Sequence, residues 1–327
     1  MTKINRRGAE TPRGMGFKTR NGRGTPASNS DSFSASPRLR GKAVLREIPL
    51  HLLLALGAVT MILPFLWMLS TSLKPESQIF RFPPVWIPGN WEWRNYRAAM
   101  EAAPFGRYFL NTAIFATAAT ISNLLFCSMA AYAFARLRFR GRDVLFILVL
   151  GTMMIPGQVT MVPVFIMLKH WPLAGGNDLL GAGGHGLLNS FTGLVLPGAV
   201  GAFGIFLLRQ FFMTLPRELE DAARIDGCSE AGIYWRIILP LSRPALATLG
   251  IFTFTAAWNE FLWPLLIMSK DSMKTLQVGL QVFQTQYVTR WDLLMAGTVV
   301  VTIPVLIIFL AGQRYFTKGI ALSGIKG

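Results

Sequence analysis

The 327-residue chain reads as an all-α membrane protein, a six-transmembrane-helix bundle, on three observations. Hydrophobic residue types make up 52% of the sequence and charged ones 15%, where a soluble domain carries about a quarter charged residues. The charge deficit is uneven: long stretches hold almost none, and the charges collect between them. Six of those stretches reach the ~20 mostly apolar residues that a helix needs to cross the hydrocarbon core of a bilayer.

The six run from about Ile48 to Leu69, Tyr108 to Ala135, Val144 to Leu168, Leu187 to Met213, Pro244 to Met268 and Leu293 to Phe316. They contain Pro64, Pro156, Pro163, Pro197, Pro264 and Pro304. Proline damages a soluble helix, but in a membrane bundle neighbouring helices can satisfy the carbonyls it frees. The second segment carries Ala116, Thr117, Ala118, Ala119, Thr120 and Ser122, small residues that let helix backbones approach closely.

Residues 1–45 are rich in Gly, Ser, Arg, Asn and Pro, and are expected to form a disordered basic tail, with residues 46–327 as one transmembrane domain. The first apolar run comes too late and is too long for a signal peptide. Orientation follows from Lys and Arg, which accumulate on cytoplasmic segments. Eleven of them precede residue 47, and four sit in the short turn Arg136–Arg142. Both termini and the long connection after the fourth segment are therefore expected on the cytoplasmic side. The net charge of +16 thus tracks topology and the lipid surface. With no RNA- or DNA-binding motif beside it, nucleic acid is not an expected partner. Residues 74–107 hold Trp86, Trp91, Trp93 and Tyr96 among prolines, as expected of an outer loop at the membrane–water interface that could touch an external partner.

Catalytic and metal-binding patterns are missing from the sequence. Two isolated cysteines and three scattered histidines make neither a disulfide framework nor a metal site. There is no phosphate-binding GxxxxGK[ST] loop and no HExxH. Gly181-Ala182-Gly183-Gly184-His185-Gly186 matches GxGxxG, but it lies between two membrane segments rather than between a strand and a helix, and reads as a flexible loop. Asn259 and Glu260 fall inside the fifth apolar segment. An acid in a span faces a cavity or a partner, so the pair is either a polar contact on the translocation path or a structural hydrogen bond between helices.

The connection at 214–244 carries the functional reading. Pro216 suits the first turn of a helix, and Glu218, Glu220 and Asp221 suit its positive end. Leu219, Ala222, Ala223 and Ile225 give it a small apolar surface, Gly227 is placed to end it, and Ser229 can cap a second short helix. A helix–glycine turn–helix with a shallow alanine surface suits docking into a groove on another protein.

The segment Asp221-Ala222-Ala223, then Arg224-Ile225-Asp226-Gly227, then Ile237-Ile238-Leu239-Pro240 closely resembles the EAA loop of binding-protein-dependent ABC importer permeases. Asp221 replaces the usual Glu, keeping the charge with one methylene less reach. Pro64-Phe65-Leu66-Trp67-Met68, Ser72-Leu73-Lys74, Ala131-Tyr132-Ala133-Phe134-Ala135-Arg136, Trp258-Asn259-Glu260-Phe261 and the ending Gly324-Ile325-Lys326-Gly327 resemble the carbohydrate-uptake branch, and there the maltose-type second permease subunit. The resemblance covers nearly everything after residue 45.

It implies a non-catalytic permease subunit of a bacterial inner membrane, paired with a sister permease, two ATPase subunits and an extracytoplasmic solute-binding protein. ATP and Mg would sit on the ATPase and no cofactor on this chain. Asp221, Ala222, Ala223, Asp226 and Gly227 would couple to the ATPase, Asn259 and Glu260 would border the path, and Gly324, Ile325, Lys326 and Gly327 would reach the ATPase interface. A sugar or sugar-like solute is favoured only through the family branch, with a non-sugar solute as the alternative. An ion-driven secondary transporter would not need the helix–glycine–helix loop, and no convincing inverted repeat is visible.

Overall fold

The computed structural model describes the backbone of residues 37–284 and 288–323 and the side chains of residues 49–284 and 288–313. The chain falls into two units, Met1–Thr60 and Met61–Gly327. The described part of the first is the beginning of one helix. The tail residues Gly324, Ile325, Lys326 and Gly327 lie outside the described residues.

The helices used below are α1 Pro37–Ser72, α2 Phe105–Arg136, α3 Arg142–Thr152, α4 Gly157–Lys169, α5 Phe191–Val195, α6 Ala202–Thr214, α7 Glu218–Ile225, α8 Glu230–Ile233, α9 Arg243–Trp258, α10 Leu262–Ile267 and α11 Trp291–Ser323. Three uninterrupted helices are long and apolar enough to span a bilayer: Pro49–Ser72 within α1, all of α2, and Trp291–Gln313 within α11. α1 begins at Pro37, inside the stretch expected to be structureless.

The other segments are broken. The third, expected as one helix, is α3 and α4 at 98° to each other. Pro156 supplies no N–H and is extended (ψ 130°), so α3 cannot run on and α4 starts afresh at Gly157. The fourth bends by 50° where Leu196–Gly198 forms a 3₁₀ turn around Pro197 and Gly201 is extended. The fifth is α9, a break at Asn259–Phe261, and α10. Residues Glu230–Leu241 bend 78° away from α9, so this stretch belongs to the connecting loop rather than to the span. Pro163 and Pro304, by contrast, remain inside continuous helices.

α2 organises the second unit by running through two apolar cores. Its first half buries Phe105, Tyr108, Phe115, Ala116 and Ala119 with Trp258, Leu194 and the start of α11. Its second half buries Cys127, Ala131, Tyr132 and Ala135 with Ile205, Leu208 and Phe212 of α6 and with Ala223, Ile233 and Tyr234 of the loop. At the α2–α6 crossing a Cβ on Gly204 would lie 2.9 Å from the Cys127 sulfur, so only glycine permits this approach.

The 214–244 loop and the half-buried acid: candidate functional sites

The loop folds much as its residues dictate. α7 begins at Glu218, two residues later than Pro216 suggested, with Arg217 as N-cap. Its end is a Schellman turn: the Gly227 N–H donates to the Arg224 carbonyl (3.1 Å) and the Cys228 N–H to the Ala223 carbonyl (2.9 Å), with Gly227 at φ +83°. Asp226 is the C-cap residue. The Ser229 hydroxyl accepts from the Gly232 N–H (3.2 Å) and caps α8. α8 then passes into a single π turn at Tyr234–Ile238, which the sequence did not suggest.

A charge network fixes α7 to the membrane helices. Arg136, the last residue of α2, lies 2.8 Å from Glu220, and both side chains are about as buried as the core, at 2% and 3% exposure. The contact is ionic, off the line of a hydrogen bond. Arg136 also donates to the carbonyls of Phe212 and Leu215 where α6 ends. One guanidinium thus holds the ends of α2 and α6 and the first turn of α7. Beside it, Arg224 reaches Asp221 (2.8 Å), Glu230 (2.9 Å) and, at 3.5 Å, Glu220. The Tyr132 hydroxyl donates to Glu230 at 2.7 Å. The hydrogen bond to Glu230 holds the Arg224 guanidinium above its ordinary pKa, and the same contact, with help from Tyr132, holds the Glu230 carboxyl below its own.

The sequence-predicted residues divide by face. Ala222 is exposed, together with Leu219 (44%) and Ile225 (87%). Ala223 points the other way and is buried in the inner core, so the expected alanine docking surface is half internal. Asp221 is exposed, its carboxylate held by Arg224. Sequence reasoning missed the buried partners. In sequence Arg136 reads as a topology charge and Glu220 as a helix-dipole acid; their pairing spans 84 positions of sequence, and no local pattern announces it.

The second sequence-predicted pair is split. Asn259 caps the end of α9, is exposed, donates to the Thr255 carbonyl (2.9 Å) and accepts from Gln277 (3.2 Å). Glu260 follows in the break, half-buried, and accepts from the Trp263 backbone N–H at 3.2 Å. Glu260, without Asn259, borders a cavity of about 480 Å³.

Interrupted apolar helices around a mixed cavity, with a rigidly mounted amphipathic rod at one end of the bundle, define the membrane component of a solute transporter. Residues 123–322 match the model of the binding-protein-dependent transport system inner membrane component, and the chain belongs to that family. It is 36% identical to the arabinooligosaccharides transport system permease protein AraQ of Halalkalibacterium halodurans, over 81% of this chain and 91% of the relative. It is 34% identical to the sn-glycerol-3-phosphate transport system permease protein UgpE of Yersinia pestis bv. Antiqua, over 85% and 96%. Its fold matches, with a TM-score of 0.70 over 86% of this chain and 98% of the other at 24% identity, a chain of a bacterial ABC transporter involved in the import of the acidic polysaccharide alginate.

Proposed function

We propose that this chain forms half of the transmembrane path of an ATP-driven importer for a sugar or sugar-like solute, and takes its power stroke through α7. The carrying observation is mechanical. α7 presents Leu219, Ala222 and Ile225 outward while the Arg136–Glu220 pair ties its other face to α2 and α6. A rod fixed in this way moves the bundle when it is itself moved. The partners implied are a sister permease, two ATPase subunits that hold ATP and Mg, and an external binding protein. The basic tail and the Arg136–Arg142 turn favour both termini in the cytoplasm, which puts α7 on the ATPase side. Residues 324–327 would extend the same contact. Relatives named for arabinooligosaccharides and for sn-glycerol-3-phosphate support a polyhydroxylated solute, with a phosphorylated one as the second reading.

The test is co-expression of all subunits and reconstitution into proteoliposomes. ATP-dependent uptake is expected. Ile225→Asp should weaken association of the ATPase pair about tenfold while the permease pair stays assembled. Unweakened ATPase association and uptake in that variant would refute the docking role of α7.

A further inference from the structure

Three interruptions of apolar segments meet at one place. The first turn of α4, directly after the break at Pro156, contributes Gly157 and Gln158, the 3₁₀ turn after α5 contributes Pro197 and Gly198, and the break after α9 contributes Glu260; all border the cavity of about 480 Å³. Interrupted helices leave backbone polar groups unpaired at membrane depth, which is tolerated where they line a water-filled cavity or are buried in protein. The remaining wall is mainly apolar, with Phe115, Met161, Leu194 and Trp263 among its residues, and carries the hydroxyl side chains of Thr160 and Thr253.

One group at this wall has unused hydrogen-bonding capacity. The Glu260 carboxylate, which can accept about four hydrogen bonds, takes one from the Trp263 backbone. Among the described residues that border the cavity there is no Lys or Arg to offset that carboxylate. Aromatic and aliphatic side chains, hydroxyls and an uncompensated acceptor carboxylate suit a ring carrying many hydroxyls and no negative charge. We infer that this cavity is a contact site on the translocation path for an uncharged sugar ring, with Glu260 accepting from its hydroxyls. The inference rests on the importer reading above and adds that this subunit itself touches the solute.

The test uses the assembled complex in proteoliposomes. One arm needs no sugar: Thr253→Cys, in a Cys228→Ser background, is exposed to 2-hydroxyethyl methanethiosulfonate. Reaction above the background chain is expected, with a rate that changes at least fivefold when ATP and vanadate trap the complex. A thiol that stays inert in both states means that lipid or the sister subunit fills the cavity, and overturns the inference. The second arm follows uptake of labelled arabinotriose and of glycerol 3-phosphate. Thr253→Trp, which fills the cavity, should cut arabinotriose uptake at least tenfold with the ATPase pair still co-purifying, and Glu260→Gln at least threefold. Uptake at the parental rate in Thr253→Trp overturns the inference. A parent complex that moves only glycerol 3-phosphate removes the uncharged-sugar assignment and leaves the importer standing. ATP-independence of all uptake removes the importer reading first, and the thiol arm then decides whether the cavity is a wet path at all.

Discussion

Arg136 and Glu260 are charges that end helices in the same bundle, and the structure treats them in opposite ways. Arg136 is enclosed, paired with Glu220, and donates through one terminal nitrogen to two carbonyls of the α6 terminus. Glu260 is half-buried at a break, holds a single backbone N–H and faces open volume. A buried charge paired with its opposite makes a joint, because any movement that separates the two exposes an unpaired ion to a low-dielectric interior. One at the edge of a cavity without a charged partner keeps its capacity for something that comes and goes. The contrast separates the part of the molecule suited to transmitting force from the part suited to touching cargo.

The sharpest way to break this contrast is to remove the joint. Arg136→Ala leaves the buried Glu220 with Arg224, at 3.5 Å, as its remaining counter-charge; removing one partner of a buried pair costs about 3–5 kcal/mol. We expect a large fall in the thermal unfolding temperature of the purified complex and loss of ATP-dependent uptake. The double variant Arg136→Met, Glu220→Leu replaces the pair by apolar groups of similar volume, which is often neutral or stabilising. It should recover most of the thermal stability. If uptake returns with stability, the ion pair is structural only; if stability returns without uptake, the guanidinium clamp on α6 and α7 is what transmits movement.

A second pair of variants separates the two faces of α7. Ala223→Glu puts a carboxylate into the inner core beside Ile233 and Tyr234, at a cost of several kcal/mol per unpaired buried ion. The whole complex should lose thermal stability. Ile225→Asp changes a side chain 87% exposed, so the permease pair should melt as before, while ATPase association weakens about tenfold, or ~1.4 kcal/mol. Equal loss of stability in both would mean that α7 has no free face to offer.

The sequence was legible where the physics is local. Hydropathy located six apolar segments, Gly227 ended α7 at positive φ, and Ser229 capped α8, because each depends on residues within a few positions. It was illegible where distant residues decide. Pro156 and Pro163 look alike in sequence, yet one turns the chain by 98° and the other sits within α4. Ala222 and Ala223 are adjacent and identical, and only the packing of α7 against α2 and α6 gives them opposite faces. Glu220 reads locally as a dipole acid because its partner, Arg136, lies on another helix.

The smallest expected effect isolates the backbone of that turn. A Cβ on Gly227 would meet no atom within 4 Å, so sterics against neighbours do not defend this glycine. Its φ of +83° does: an L-residue there costs about 1–2 kcal/mol, with Asn paying less because its short polar side chain tolerates the left-handed region. Gly227→Ala should therefore lower stability slightly and weaken ATPase docking up to tenfold, with Gly227→Asn falling between it and the parent. That order distinguishes two causes. A graded series identifies the Schellman turn, with its Cys228-to-Ala223 and Gly227-to-Arg224 bonds, as what sets the angle of α7. If Ala and Asn weaken docking equally, at unchanged stability, the bare glycine surface is itself part of what the ATPase touches, because the added bulk and not the dihedral angle would then be the fault.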